Sequence, residues 1–315
     1  MSNFASGYIK YINHLEQINQ GAVDCPERMI REVEGSYQGH LRSIAQDIVE
    51  HHGGAMVLML SGPSSSGKTT TARLLRDYLT ELGETGHIIS LDDFYLGRGQ
   101  APKLPDGSYD YESVEALDVE AVKRCLLDIT TTGEFSVPRY SFPLGRPDGE
   151  PRRYKIGRSD LVVVEGLHAL NPIFTRELPE GSCVKLYVSV KQRIKDANGE
   201  VMSPMDLRLV RRIVRDVKFR GTPAEGTLAM WDTVEAGEDR YIRPYRLSAD
   251  YTVNSIHLYE PCVLRTVAIP LLREIAEDSP YYRKARELEA RLMRFEPLDP
   301  SLVPERSMLR EFLGP

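Results

Sequence analysis

Cysteine is scarce in this chain. Four cysteines (Cys25, Cys125, Cys183 and Cys262) are scattered through 315 residues with no CxxC pair, which argues against a disulfide framework and against a structural zinc site. Long apolar runs are missing too. The most aliphatic patch, AMVLML, is far short of the ~20 residues that span a bilayer, so no membrane partner is expected. The opening stretch MSNFASGYIKYINHLEQ lacks the apolar core of a secretory signal, and a cytoplasmic location is the expectation. There is no basic excess. A formal net charge of -6 gives nucleic acid no reason to bind. What is present suits a globular enzyme: 41% hydrophobic and 27% charged residues, in a chain long enough for one large core with an appended part.

Short aliphatic runs alternate with longer helical patterns. AMVLMLSG, HIISLDD, LVVVEG, CVKLYVSV and DYTVNS read as buried strands, and CVLRTVAI as a further late strand. KTTTARLLRDYLTELG, SPMDLRLVRRIVRDVKFRG, AEGTLAMWDTVEAGEDRYI and YYRKARELEARLMRF read as helices. SVEALDVEAVKRCLLDITTTG reads as another, with Ser113 as its cap. Near the start, YIKYINHLEQI predicts a short amphipathic helix. A second helix opens at Pro26 and stops at Gly53-Gly54, with Gly35 and Gly39 splitting it into two pieces. Residues 96–112 and 134–160 are polar, Pro- and Gly-rich loops, the latter holding a small hairpin. Strand-helix alternation predicts a mostly parallel sheet covered on both faces, with its site at the carboxyl ends of the strands.

Gly62, Gly67, Lys68 and Thr69 satisfy the P-loop pattern within GPSSSGKTT, between a predicted strand and a predicted helix. Glycines let the backbone curl, so that the loop from Gly62 through Pro63, Ser64, Ser65, Ser66 and Gly67 to Thr70 wraps an anion at a helix N-terminus, its N–H groups (all but that of Pro63, which has none) pointing inward. Lys68 reaches the outer phosphates and Thr69 offers a hydroxyl to magnesium. No NKxD-type guanine-reading stretch follows.

Asp92, Asp93 and Glu165 fall at strand ends. Glu165 is the candidate magnesium ligand with Thr69, and Asp92 the candidate base for an attacking hydroxyl. Asp93 is less favoured, because neighbouring strand side chains alternate. In DLRLVRRIVRDVKFRG, Leu209, Val210, Ile213, Val214 and Val217 form an apolar stripe, with Arg208, Arg212 and Arg215 on another face and Arg220 at the end. Such a row either closes over phosphates or forms a solvated face paired to Asp206 and Asp216.

Through GPSSSGKTT, SLDDFY, YDYESVEALD, VVVEGLHALNP, RLVRRIVRDVKFRG, GEDRYIRPY, ADYTVNS and the terminal VPERSMLREFLG, the chain resembles the uridine kinase and phosphoribulokinase family of P-loop kinases. The bacterial nucleoside kinase branch is the most similar, over about residues 40–315. The resemblance implies ATP-dependent phosphorylation of a small-molecule hydroxyl, which in uridine kinases is the ribose 5'-hydroxyl. It makes Asp92 the general base and Tyr95 an aromatic neighbour of the acceptor. Asp110 becomes a grip on ribose hydroxyls, and Tyr140 and Phe142 become walls around the base. Arg212, Arg215 and Arg220 become phosphate and substrate arginines. Two positions depart from the pattern: Gly145 stands where a base-reading histidine is expected, and Thr222 where a second lid arginine is expected.

The expectation is therefore a P-loop NTPase α/β fold with a helical lid, binding ATP and magnesium. Residues 1–53 form a helical extension, 54–279 the kinase core with substrate loop 96–160 and lid 204–245, and 280–315 a helical tail. The acceptor is a nucleoside or, alternatively, another sugar, sugar phosphate or polyol. A nucleotide sensor without turnover is the remaining alternative. The tail's apolar stripe packs on the core or joins two copies as a homodimer.

Overall fold

The structure is a computed structural model that describes residues 14–52, 56–157 and 160–314. Five strands form its central sheet: β1 (Val57–Ser61), β2 (Thr85–Ser90), β3 (Asp160–Glu165), β4 (Cys183–Ser189) and β5 (Tyr251–Asn254). Their spatial order is β5-β4-β1-β3-β2, and every pairing is parallel. The alternation of side chains divides the core. Leu58 and Leu60 of β1, with Leu161 and Val163 of β3, face one apolar cluster, and Val57, Met59, Val162 and Val164 face the other. Covered on both faces, β1 is buried at all five positions, which is why it reads as a continuous aliphatic run.

The first cluster is roofed by α1 (Leu15–Asp24), α2 (Pro26–His51), α3 (Lys68–Glu81), α5 (Pro204–Arg220), α6 (Ala224–Tyr241), α7 (Glu260–Arg273) and α8 (Tyr282–Leu292). The second is roofed mainly by α4 (Val119–Thr131). Small antiparallel pairings at 134–137 with 152–155, 140–141 with 146–147, and 194–196 with 199–202 decorate the loops. A single turn, α9 (Arg310–Leu313), ends the described chain.

Three local expectations are corrected. CVLRTVAI is helical, within α7. Its β-branched residues favour a strand, but Cys262, Val263 and Leu264 are buried in succession, followed by Ala268, Ile269 and Leu272. That pattern wraps a helix into a core and does not alternate. Ser113 caps a short 3₁₀ turn, Val114–Ala116, and α4 starts at Val119, five residues later than a Ser113 cap would place it, with its own cap Asp118 accepting from the Ala121 amide at 3.0 Å. Finally, α2 is one helix of 26 residues despite Gly35 and Gly39. Each glycine costs about 1 kcal/mol in a helix interior. Burial of Ile30, Tyr37, Leu41, Ile44, Ala45 and Ile48 along one stripe outweighs that cost. The N-terminal half of the YIKYINHLEQI helix and the Gly53-Gly54 stop lie outside the described residues.

In α8, Ala285, Leu288 and Leu292 are buried within the chain's own core. No described helix is long and apolar enough to cross a membrane.

Candidate nucleotide and acceptor site

A cavity of about 390 Å³ opens at the carboxyl ends of β1, β2 and β3. The P-loop forms its floor. Gly62 passes so close to β4 that a Cβ would stand 2.1 Å from the Val188 carbonyl oxygen, so only glycine serves there. Gly67 turns with φ +88 and launches α3. Ser65 and Ser66 are buried, and their hydroxyls have no hydrogen-bond partner. The Lys68 amine donates to the Pro63 carbonyl at 3.0 Å. Burial lowers the pKa of Lys68, against the pull of Glu165, Glu311 and Asp92.

The acids converge on this floor. Glu165 ends β3 in register with Leu60 and Ser90. Asp92 stands in the 3₁₀ turn that follows β2, its amide donating to the Ser90 hydroxyl at 3.3 Å. Both line the cavity beside Lys68 and Thr69. Burial raises both carboxyl pKa values, and each acid's proximity to other carboxylates adds to the rise. Asp93 points away: its carboxylate pairs with Arg152 and accepts weakly from the Tyr140 amide, which ties the turn to the hairpin beyond.

The arginines of α5 divide into two sets. Arg212, Arg215 and Arg220 line the cavity. All three are gathered by Asp216, at 3.2, 2.8 and 3.6 Å, and Arg212 also donates to the Ser64 hydroxyl at 2.8 Å. Asp216 is itself buried and holds Arg212 and Arg215 largely out of solvent, whereas Arg220 at the helix end stays exposed. Arg208 and Arg211 do a different job. Arg208 pairs with Glu238 and donates to the Ser64 carbonyl at 2.8 Å, while Glu238 accepts from the Ser64 amide at 2.7 Å. Arg211, fully buried, makes a two-pronged contact with Glu260 and reaches the Ser65 and Ser255 carbonyls. These two arginines clamp the P-loop from behind.

At the far end of the cavity, Tyr95, Tyr140 and Phe142 form a chain of rings, with centroids 5.9 and 5.1 Å apart. The structure does not bring Asp110 to the cavity wall. Its carboxylate accepts from the Tyr241 hydroxyl at 2.6 Å and from the Glu112 amide at 3.2 Å. The carboxylate that faces the cavity is Glu112, two residues on. Burial pushes its pKa up to about 7 against the attraction of Arg212. Gly145 lines the same end with φ +64, and a Cβ there would stand 2.2 Å from the Arg98 Nε. Arg98 thus fills the space a histidine would need. Thr222 is not among the lining residues. Glu112, Arg98, Tyr111 and Glu311 line the cavity and were not singled out by sequence. Glu112 and Tyr111 lie beside Asp110 in YDYES, but nothing in that pattern says which acid turns inward. Glu311 lies in the terminal LREFLG, which carried no chemical pattern of its own.

Among the described residues, no group of three or more His, Cys, Asp or Glu is arranged to hold a metal ion alone. Magnesium is commonly held by one or two carboxylates plus substrate phosphates. The Thr69 hydroxyl, Glu165, the orphaned Ser65 hydroxyl and the Lys68 amine fit a magnesium-polyphosphate in that way.

The chain is 27% identical over 205 residues to a uridine kinase of Saccharomyces cerevisiae, covering 64% of this chain and 37% of that one. It is 26% identical over 200 residues to a uridine kinase of Ureaplasma parvum, covering 63% of this chain and 87% of that one. A crystal structure of a putative fructose transport system kinase from a Silicibacter species aligns at TM-score 0.49 and 21% identity, over 67% of this chain and 98% of the other. The profile of the Phosphoribulokinase / Uridine kinase family matches residues 57–259, which span the sheet, the P-loop, the acids and the arginine helix, and the chain belongs to that family.

Proposed function

We propose that the protein transfers a phosphoryl group from ATP to a small-molecule hydroxyl. The observation that carries this reading is that Asp92 and the P-loop Lys68 open onto one cavity, with ring-walled space beyond them. The P-loop amides and Lys68 hold the nucleotide phosphates. Thr69 and Glu165 would hold magnesium, which when bound would draw charge from the phosphate oxygens. Asp92 orients the acceptor hydroxyl and takes its proton. Arg212, Arg215 and Arg220, gathered by Asp216, balance the negative charge of the transferring group.

A nucleoside is the leading acceptor, since the rings of Tyr95, Tyr140 and Phe142 suit a flat base and the relatives named above are uridine kinases. Glu112 replaces Asp110 as the proposed grip on acceptor hydroxyls, because a carboxylate accepts two such bonds only where it faces them. A second reading has a specific observation behind it. Arg98 fills the space over Gly145, where a side chain that reads a pyrimidine edge would stand, so a sugar, sugar phosphate or polyol is the alternative acceptor.

Incubation with magnesium-ATP and a panel of nucleosides, sugars, sugar phosphates and polyols, followed by identification of products by mass, tests this. Phosphorylated nucleosides support the leading reading, and turnover of non-nucleosides alone supports the alternative. ATP binding with no product from any acceptor would leave a sensor. Asp92→Asn should cut transfer about 10²–10⁴-fold while ATP still binds. Wild-type turnover in that variant would reject Asp92 as the base.

A further inference from the structure

The last turn of the chain enters the cavity. Glu311, on α9, places Oε2 3.1 Å from the Thr70 amide nitrogen and 3.1 Å from the Thr70 hydroxyl, accepting from both. The Thr70 amide belongs to the first turn of α3, where no carbonyl of the helix can satisfy it. Such an amide, at the positive end of a helix and inside a P-loop, is a donor for a phosphate oxygen. One N–H carries one hydrogen, so it serves the carboxylate or the phosphate and not both.

The carboxylate arrives on an anchored backbone. Met308 packs against Gly67, where an added Cβ would stand 2.7 Å from Met308 Cγ. The Phe312 ring lies 5.3 Å from the Arg211 guanidinium, and the Lys218 amine donates to the Leu313 carbonyl. The Ser307 hydroxyl meets that of Tyr259, which also donates to Glu34 of α2. Met308, Leu309 and Phe312 are fully buried, whereas Glu311 is only partly so. The segment therefore stays in place while the Glu311 side chain alone is free to turn out. Beside it, the buried Ser65 hydroxyl has no partner, so the nest still offers a donor to an incoming anion.

We propose that Glu311 stands where a nucleotide phosphate oxygen binds, and that the C-terminal turn thereby sets ATP affinity by competing for the P-loop. The inference rests on the nucleotide reading above, but not on the identity of the acceptor. It assigns residues 307–313 to the nucleotide site itself. It also explains why a tail that the sequence presents as packing carries a glutamate into a cavity already holding Asp92 and Glu165. An arriving nucleotide would exchange one anion for another, and its phosphates would bring a magnesium ion that Thr69 and Glu165 would hold.

The test measures ATP binding by calorimetry without acceptor, in the full chain. Glu311→Gln removes the charge, and Glu311→Ala also removes the acceptor atoms. Each is expected to lower the ATP Kd about tenfold, the equivalent of one hydrogen bond to a charged group. Inorganic tripolyphosphate should show the same gain, because the competition is for phosphate and not for the base. Glu311→Asp, whose carboxylate falls short of Thr70, should also bind more tightly, and it carries the test if the other variants fail to fold. Wild-type or weaker binding of ATP in folded variants would overturn the proposal, since Glu311 would then be inert or would help to hold the nucleotide. If neither wild type nor variants bind ATP, the nucleotide reading falls as well. If wild type binds and the variants match it, only this inference falls.

Discussion

The P-loop end of the cavity and the ring-walled end are built by different means. At the P-loop, strand ends and a helix turn set each group, and buried ion pairs hold the loop from behind. Arg208 with Glu238 and Arg211 with Glu260 reach the carbonyls of Ser64 and Ser65. At the other end, Arg98, Tyr111 and Phe142 are exposed and stand on loops, and the strands pairing 140–141 with 146–147 are two residues each. Charge must be fixed in advance to stabilise a reacting phosphate. A surface that selects a substrate needs no such depth, and it can exchange residues without endangering the core.

The sharpest way to test this division is at Lys68. Lys68→Met should lower phosphoryl transfer about 10³–10⁴-fold in a single-turnover assay, because under the proposed function it removes the positive charge that would face the phosphates. An effect of equal size from any single exposed residue at the ring-walled end would break the comparison. Next in size is the clamp. Arg211→Leu leaves Glu260 buried without its partner and should cost about 3–5 kcal/mol in urea unfolding. Adding Glu260→Leu should recover part of that loss, since the stranded charge is gone. If Arg211→Leu unfolds at the wild-type urea concentration, the clamp contributes nothing.

The same division governs what could be read from sequence. The placement of the P-loop, Asp92 and Glu165 at the carboxyl edge of the sheet was legible, because a glycine turn or an acid that closes or directly follows a strand falls at that edge. The strand order needed the structure, but the parallel sheet and its covered faces did not. Arg211 was not legible. It lies between Val210 and Arg212, and only the packing of α7 shows that it, and not Arg212, is the fully buried one of the two. Asp110 and Glu112 posed the same difficulty on a loop, where no period fixes which side chain turns inward. The Tyr241 hydroxyl, distant in sequence, decides it by taking Asp110. Glu311 was out of reach for a similar reason, since α9 meets the P-loop only through the fold.

A pH experiment sharpens the comparison at Glu112. Burial raises this carboxyl to about 7 from an ordinary value near 4.5. The folded chain therefore holds a proton that the unfolded chain releases between these values. Stability falls as pH rises through that window, and the cost is complete above pH 7. Glu112→Gln keeps the shape and removes the ionisation. It should be more stable than wild type at pH 8 by about 1–3 kcal/mol, with the difference vanishing near pH 4. A difference that persists unchanged to pH 4 would mean that packing, and not ionisation, separates the two proteins.

The smallest expected effect is also the most direct check on the loop end. Phe142 is 56% exposed and touches Tyr140 edge to face. Phe142→Ala should shift stability by no more than about 0.5 kcal/mol, as a surface change does. If the ring serves as a wall for the acceptor, its loss removes about 0.5–1.5 kcal/mol of contact, which raises acceptor KM roughly two- to tenfold. The ATP Kd should not move, because nothing at the P-loop depends on this ring, and kcat should hold, because the contact is made before and during transfer alike. A fall in kcat with KM unchanged would mean that Phe142 shapes the position of Asp92 through Tyr140 and Tyr95. The two ends of the cavity would then work as one unit, and selectivity could not change without changing the chemistry.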